Sequence, residues 1–390
     1  FMTDEQILAY DLNKIDGLLS SLEDEIAMLD ATQLALKILA NSGYGAIGNV
    51  SFRYFRIEIA EGITLTGQLA LRYMSAVLDK FLNEACGTKG VTYAIYGDTD
   101  SIFISLDNWV KKNGFDETNT DAVITQMDDY MANVIEPLIA ENYDKLSDYL
   151  GAKKNLLIMK REALADATIF RGKKNYIMQV FDMEHVRYTE PYMKMMGVET
   201  AKSSTAMIIR KKLEECFKIV INKDSRKASE LKKLVDDFRD EFNKVPVVTI
   251  ASPRGVNDID KWLDPNGNII SGCPIHVRAS INYNNFINSK TDLKRKYEEI
   301  KNGSKIRFIK LKEPNIIHSH VVAFIDELPE EMDLENYIDR KTQFEETFMN
   351  PLETFTQLID WDVRRSASLT DLFGDDDGDE VQQVIAVEKD

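Results

Sequence analysis

The strongest constraint on folding in this chain is a short aspartate-bearing reversal between two runs of strand-forming residues. Residues 91–96 and 102–106 are rich in the β-branched and aromatic types that a pleated, half-buried surface selects. Between them, Gly97-Asp98-Thr99-Asp100-Ser101 leaves room only for a sharp turn. The pattern predicts an antiparallel hairpin whose exposed tip carries two carboxylates at i and i+2. Such a tip suits Mg²⁺, which keeps several waters while reaching a phosphate. Aspartate and glycine are also ordinary turn formers, so the bare run reads as a structural turn too.

The rest of the chain narrows the setting. With 390 residues and 44% hydrophobic content it can bury large cores, and its length suggests two or three domains. No apolar run approaches the roughly 20 residues that span a bilayer, and the N-terminus has no basic segment followed by an apolar one. No membrane association and a cytoplasmic setting are therefore expected. Cys86, Cys216 and Cys273 are odd in number and widely spaced, which argues against a disulfide framework or a zinc site. His318 and His320 lack neighbouring ligands that would complete a metal set.

The net charge of −17 is concentrated at the ends. Residues 1–30 carry −7 and residues 375–390 carry −6, which leaves −4 for the long middle. Within that middle, residues 151–215 hold thirteen Lys or Arg against eight acids. A local excess of this kind can grip a phosphate backbone, or form an ordinary solvated face.

Leu8, Leu12, Ile15, Leu19, Leu22, Ile26 and Leu29 alternate steps of four and three, which predicts one long amphipathic helix. The spacing resumes at Leu34 and Ile38 and is expected to stop at Gly43, Gly45 and Gly48, as a helical hairpin or a kinked helix. Helices are expected at 61–86, around 121–150, over 205–243 and near 342–359. Strands are expected at 156–159, 176–181, 306–311 and 320–325, with loops at 246–272. From Gly374 the acidic run has little to bury and is expected to be disordered.

Lys37, Asn41 and Tyr44 fall at i, i+4 and i+7, so a helix would present a cation, an amide and a ring on one face. An ammonium suits a triphosphate, and a ring can pack against a base pair. One exposed lysine beside a core tyrosine fits the spacing as well. Taken in order, Lys37-Ile38-Leu39-Ala40-Asn41-Ser42-Gly43-Tyr44-Gly45, Asp98-Thr99-Asp100-Ser101 and Lys173-Lys174-Asn175-Tyr176 resemble the family B DNA polymerases, most closely the bacteriophage type. The resemblance continues through Met159-Lys160-Arg161-Glu162, Met196-Gly197-Val198-Glu199-Thr200 and Cys273-Pro274-Ile275-His276-Val277-Arg278.

That resemblance implies an α+β fold: a palm β-sheet with packed helices, a helical fingers remnant and a mixed, mainly helical thumb. Fingers with motif B would occupy 1–49, the palm with its metal-binding hairpin 50–197, the thumb 198–374, and an acidic tail 375–390. It implies template-directed DNA synthesis with Mg²⁺ and dNTP, in an infected bacterial host. Asp98 and Asp100 would be metal-binding palm carboxylates, Asp100 the more direct ligand, with Glu162 a supporting acid. Lys37 would meet the incoming triphosphate, Asn41 would support its helix face, and Tyr44 with Gly45 would line the nascent base pair. Lys173, Lys174 and Tyr176 would touch primer–template DNA, and Lys202 would belong to the thumb's grip. Leu369, Leu372 and Phe373 follow the i, i+3, i+4 anchor pattern of a helix in a groove, and in the phage relatives a similar terminal peptide binds the sliding clamp.

Several departures matter. Asn175 stands where the family commonly has Arg, and the stretch 162–173 is shorter than in the phage relatives. The 390 residues also contain no motif A, the Asp with a following Ser-Leu-Tyr-Pro-like run that supplies another metal ligand, and no exonuclease domain. One hairpin does not complete a two-metal cage. The chain is thus expected to need an N-terminal polymerase fragment carrying both, against which the Leu8 to Leu29 stripe would partly pack. Two other readings compete: a non-catalytic DNA- and clamp-binding subunit derived from a polymerase, and a metal-dependent glycosyltransferase with an Asp-x-Asp motif. The latter would have no use for the Lys37 helix face or the lysines at 173–174.

Overall fold

The computed structural model describes residues 12–116, 119–222 and 227–364. Two long helices come first, α1 (Leu12–Ile47) and α2 (Ile57–Cys86), then β1 (Ala94–Asp98), β2 (Ser101–Ile104), α3 (Asp107–Asn113), α4 (Thr120–Tyr130) and α5 (Glu136–Tyr149). Three longer strands follow: β3 (Ala163–Gly172), β4 (Asn175–Met183) and β5 (Val186–Met196). Beyond them lie α6 (Met207–Ile221), α7 (Ala228–Phe242), β6 (Ser252–Gly255), α8 (Ile275–Asn288), β7 (Lys305–Lys310), β8 (Val321–Phe324), α9 (Arg340–Phe344) and α10 (Asn350–Thr356). The fold is α+β, as the resemblance implies. Its sheets among the described residues are antiparallel: β1–β2, β3–β4–β5 and β6–β7–β8. The chain gathers into two compact units, one from residues up to Phe115 with Asn133–Met159, the other from Asp116–Ala132 with Lys160 onward.

In the first unit α2 is the spine. It packs against α3, α5 and the β1–β2 hairpin. Met74, Leu78 and Leu82 recur every four residues along it and are buried, as are Tyr93, Leu106, Ile135, Ile139 and Tyr143. Gly87 ends the helix in the left-handed region at φ 71, returning its N–H to the last turn. The second unit holds the larger core. Phe238 lies 4.8 Å from Phe348, and Phe344 is 5.0 Å from Phe348 and 5.1 Å from Phe242, so α7 and the helical run from α9 to α10 share one aromatic cluster. The β6–β7–β8 sheet is covered by α8. Cys216 and Cys273 are buried thiols, and burial pushes Cys216 up to about 12, which keeps it protonated and inert.

Four expectations change. α1 does not stop at Gly43 or Gly45 but runs unbroken to Ile47, ending only at Gly48, the last of the three expected glycines, because a helical glycine costs only about 1 kcal/mol relative to alanine. Residues 156–159 form no strand; Leu156 and Ile158 are 76% and 82% exposed, and a short apolar run without a pairing partner is not a strand. The expected helix over 205–243 is two helices, α6 and α7, with residues 223–226 between them outside the described residues. β6 interrupts the expected loops at 246–272, and the patterning gives no sign of β3, β5 or α8. β5 carries the charged residues Arg187, Glu190 and Lys194 at both odd and even positions, which dilutes its period-2 signal.

Candidate catalytic turn and nucleic-acid interface

The carboxylate hairpin forms as expected. Asp98 pairs with Ser101 across β1–β2, leaving Thr99 and Asp100 as the two-residue turn. Thr99 takes φ 53, and the Asp100 N–H donates to the Asp98 carbonyl at 2.5 Å. Asp98 is half-buried and accepts from the Thr99 hydroxyl at 3.1 Å, while Asp100 is exposed. The aromatic rings of Tyr96 and Phe103 meet edge to face at 5.3 Å behind the tip.

What fixes this tip in place could not be read from the sequence. One Asp79 carboxylate oxygen on α2 accepts from the backbone N–H groups of Tyr93 and Ala94, at 2.7 and 2.8 Å. One turn further along α2, Asn83 exchanges hydrogen bonds with the main chain of Val91, at 2.7 and 3.1 Å. The hairpin therefore enters from a strut of charge-assisted and amide bonds to the helix. Gly97 lets it lie close, since a Cβ there would stand 3.1 Å from the Leu71 side chain. Asp79 and Asn83 share a helix face at i and i+4, but their partners lie beyond the helix end, so spacing alone gave no signal.

Lys37, Asn41, Tyr44 and Gly45 all lie on α1 and are exposed, the first three on one face as their spacing requires. The apolar stripe on the same helix is exposed as well: Leu19, Leu22, Ile26 and Leu29 keep about half their surface. Leu8 lies outside the described residues, as do Leu369, Leu372, Phe373 and the acidic tail.

The remaining candidates belong to the second unit. Glu162 is exposed at the start of β3 and pairs with Lys194 at 2.6 Å. Lys173 and Lys174 are the two-residue turn between β3 and β4, both exposed, with Lys174 at φ 56. Tyr176 is buried, its ring 5.6 Å from Phe170, so it braces that hairpin from behind. Lys202 is exposed and pairs with Glu199 at 2.8 Å. The short stretch 162–173 is thus one strand and its turn. Arg161, counted among the basic residues of this region, faces inward instead. Its guanidinium meets Asp182 at 2.5 Å and Asp128 at 2.7 Å, and Arg187 reaches both Asp182 and Asp121. This network ties α4 to the β3–β4–β5 sheet.

Two oxygen-donor carboxylates, the half-buried Asp98 at the end of β1 and the exposed Asp100 on the turn, fit a hard cation such as Mg²⁺. They are not a full cage: among the described residues no group of three or more His, Cys, Asp or Glu is placed to hold a metal ion. No described helix is long and apolar enough to cross a membrane.

Comparison with known proteins gives a family. Residues 14–134, which include Lys37, Tyr44, Asp98 and Asp100, match the family model for DNA polymerase family B. Over 363 residues the chain is 34% identical to the DNA-directed DNA polymerase of Escherichia phage RB69, covering 90% of this chain and 39% of that protein. Over 378 residues it is 30% identical to the DNA-directed DNA polymerase of Enterobacteria phage T4, covering 94% of this chain and 41% of that protein. A DNA polymerase of Trichoplusia ni ascovirus 2c is 27% identical over 219 residues, 55% of this chain and 20% of its own length. The chain spans about two fifths of the length of the phage relatives it matches. With the polymerase motifs in order and the hairpin formed around its two aspartates, the chain belongs to DNA polymerase family B and resembles its phage members.

Proposed function

We propose that these residues are the C-terminal part of a template-directed DNA polymerase, contributing motif B, the motif C carboxylates and the duplex grip. The observation that carries the reading is the Asp98–Asp100 turn, braced by Asp79 and Asn83, in a chain of this family. On this reading the fingers correspond to 1–49, the palm to 50–197 and the thumb to 198–374. Asp98 and Asp100 would hold Mg²⁺, which when bound supplies the charge that activates a primer 3′-hydroxyl and stabilises departing pyrophosphate.

The chain's own residues do the positioning. Lys37 offers three donors to the dNTP triphosphate, Asn41 steadies that face, and Tyr44 with the bare backbone of Gly45 lines the new base pair. Lys173, Lys174 and Lys202 hold primer–template phosphates, contacts that fix register without reading sequence. Leu369, Leu372 and Phe373 form an anchor peptide for a sliding clamp. The remaining carboxylate comes from a motif A segment outside these 390 residues, on a longer chain or a separate one.

Primer extension tests this directly. The 390-residue chain is assayed alone and mixed with a fragment carrying motif A, with Asp100→Asn as the control. Extension is expected only in the mixture, and Asp100→Asn is expected to cut it at least about 100-fold, some 2.7 kcal/mol of barrier, while duplex binding persists. A mixture that binds duplex but never extends it would favour the non-catalytic DNA- and clamp-binding subunit.

A further inference from the structure

We propose that Gly197 is a positioning residue for DNA, holding the Lys173–Lys174 turn in register with Lys202. The inference rests on the reading that these lysines grip duplex phosphates.

A two-residue turn at the end of a hairpin is held by its flanking pair, here Gly172 with Asn175. Lys174 also adopts φ 56, a region that residues with a Cβ enter at a cost. Packing beyond the ladder adds to what holds that conformation, and the backbone of Gly197 lies against it. Gly197 sits at φ 69, and a Cβ built on it would lie 2.2 Å from the Lys174 carbonyl oxygen, 3.2 Å from its carbonyl carbon and 3.3 Å from Asn175 Cα. Main chain thus packs on main chain, with no flexible side chain to yield.

The block behind Gly197 is fixed on both sides. Met196 pairs with Tyr176 across β4–β5. Val198 is 1% exposed and belongs to the core of the second unit. The Thr200 hydroxyl donates to Met195 Sδ at 3.2 Å. The same block leads into the turn Glu199–Ala201, where the Lys202 N–H donates to the Glu199 carbonyl and its ammonium pairs with the Glu199 carboxylate. One glycine therefore couples the lysine turn to the segment bearing the third ammonium. Phosphates recur along duplex DNA at fixed spacing, so charges held in register release counterions together.

The test is equilibrium binding of the 390-residue chain to a fluorescent primer–template duplex across a salt series. Four proteins are compared: wild type, Lys173→Ala/Lys174→Ala, Gly197→Ala and Gly267→Ala. Gly267 shares a positive φ of 82 but has nothing within 4 Å of a Cβ, so it controls for backbone strain alone. The double lysine variant is expected to lower the slope of log K against log salt by about 1.8. Gly197→Ala is expected to lower it by about 1 with both lysines present, and Gly267→Ala to leave it unchanged. A folded Gly197→Ala with the wild-type slope overturns the inference. An unchanged slope in the double lysine variant overturns the DNA-grip reading itself. If Gly197→Ala does not fold, backbone order parameters at Lys173 and Lys174 in the wild-type chain decide: about 0.85 supports the pinned turn, and below about 0.6 overturns it.

Discussion

Replacing Arg161 by methionine should destabilise the second unit far more than a surface arginine substitution would. The Arg161 side chain is 2% exposed and the Asp182 side chain 4%, and they meet at 2.5 Å. Removing the guanidinium leaves a carboxylate in a dry site, a loss on the order of 3–5 kcal/mol for buried pairs broken on one side. Arg187 Nε remains 3.4 Å from the other Asp182 oxygen, which places the expectation at the lower end, about 3 kcal/mol. Asp128 is 30% exposed and reaches water, so its own loss is smaller. Arg161→Met with Asp182→Leu removes both buried charges and should recover about 2 kcal/mol of the loss. Urea unfolding measures this in a Trp109→Phe background. Of the three tryptophans only Trp262 and Trp361 then report, and both pack against the second unit's core. The m-value should stay constant between variants. A single-variant loss under about 1 kcal/mol, or a double variant no more stable than the single, would refute the buried Arg161–Asp182 pair.

Other substitutions probe separate joints. Arg340 donates to the carbonyls of Phe242 and Val245, each at 2.8 Å, capping the end of α7; Arg340→Ala should cost about 1–3 kcal/mol in the same melts. Asp339 caps α9 by accepting from the Thr342 N–H at 3.0 Å and its hydroxyl at 2.6 Å. Burial pushes the Asp339 carboxyl up, but the Thr342 bonds and nearby Lys312 and Lys310 outweigh it and hold the group below the usual aspartate range. Its contribution is therefore fully present above the unfolded value near 3.9 and is lost as pH falls through the lower folded one. Asp339→Ala should cost about 1 kcal/mol at neutral pH, and the gap from wild type should close on acidification. In the reconstituted extension assay, Lys37→Ala should raise the apparent KM for nucleotide about tenfold, the worth of one charge–phosphate contact, and an unchanged KM would remove Lys37 from the triphosphate site.

Local chemistry settled much of this protein in advance. The Gly97–Ser101 run specified its hairpin because strand propensity and turn geometry act over a few residues. Helical spacing placed Lys37, Asn41 and Tyr44 on one face for the same reason, and the structure shows that face exposed. Motif order was enough to name the family. The tertiary structure decided whatever depends on partners distant in the chain. Residues 156–159 have a strand's apolar run but no strand to pair with, whereas β5 has a diluted pattern and pairs with β4 on both sides of a bulge. Arg161 counts as one more positive charge in the sequence, yet its partners Asp182 and Asp128 turn it inward. Asp79 became a strut and Gly197 a point of close approach only once backbone from another element arrived beside them. Propensity is carried by single residues and their near neighbours, but pairing, burial and close approach are properties of two segments at once.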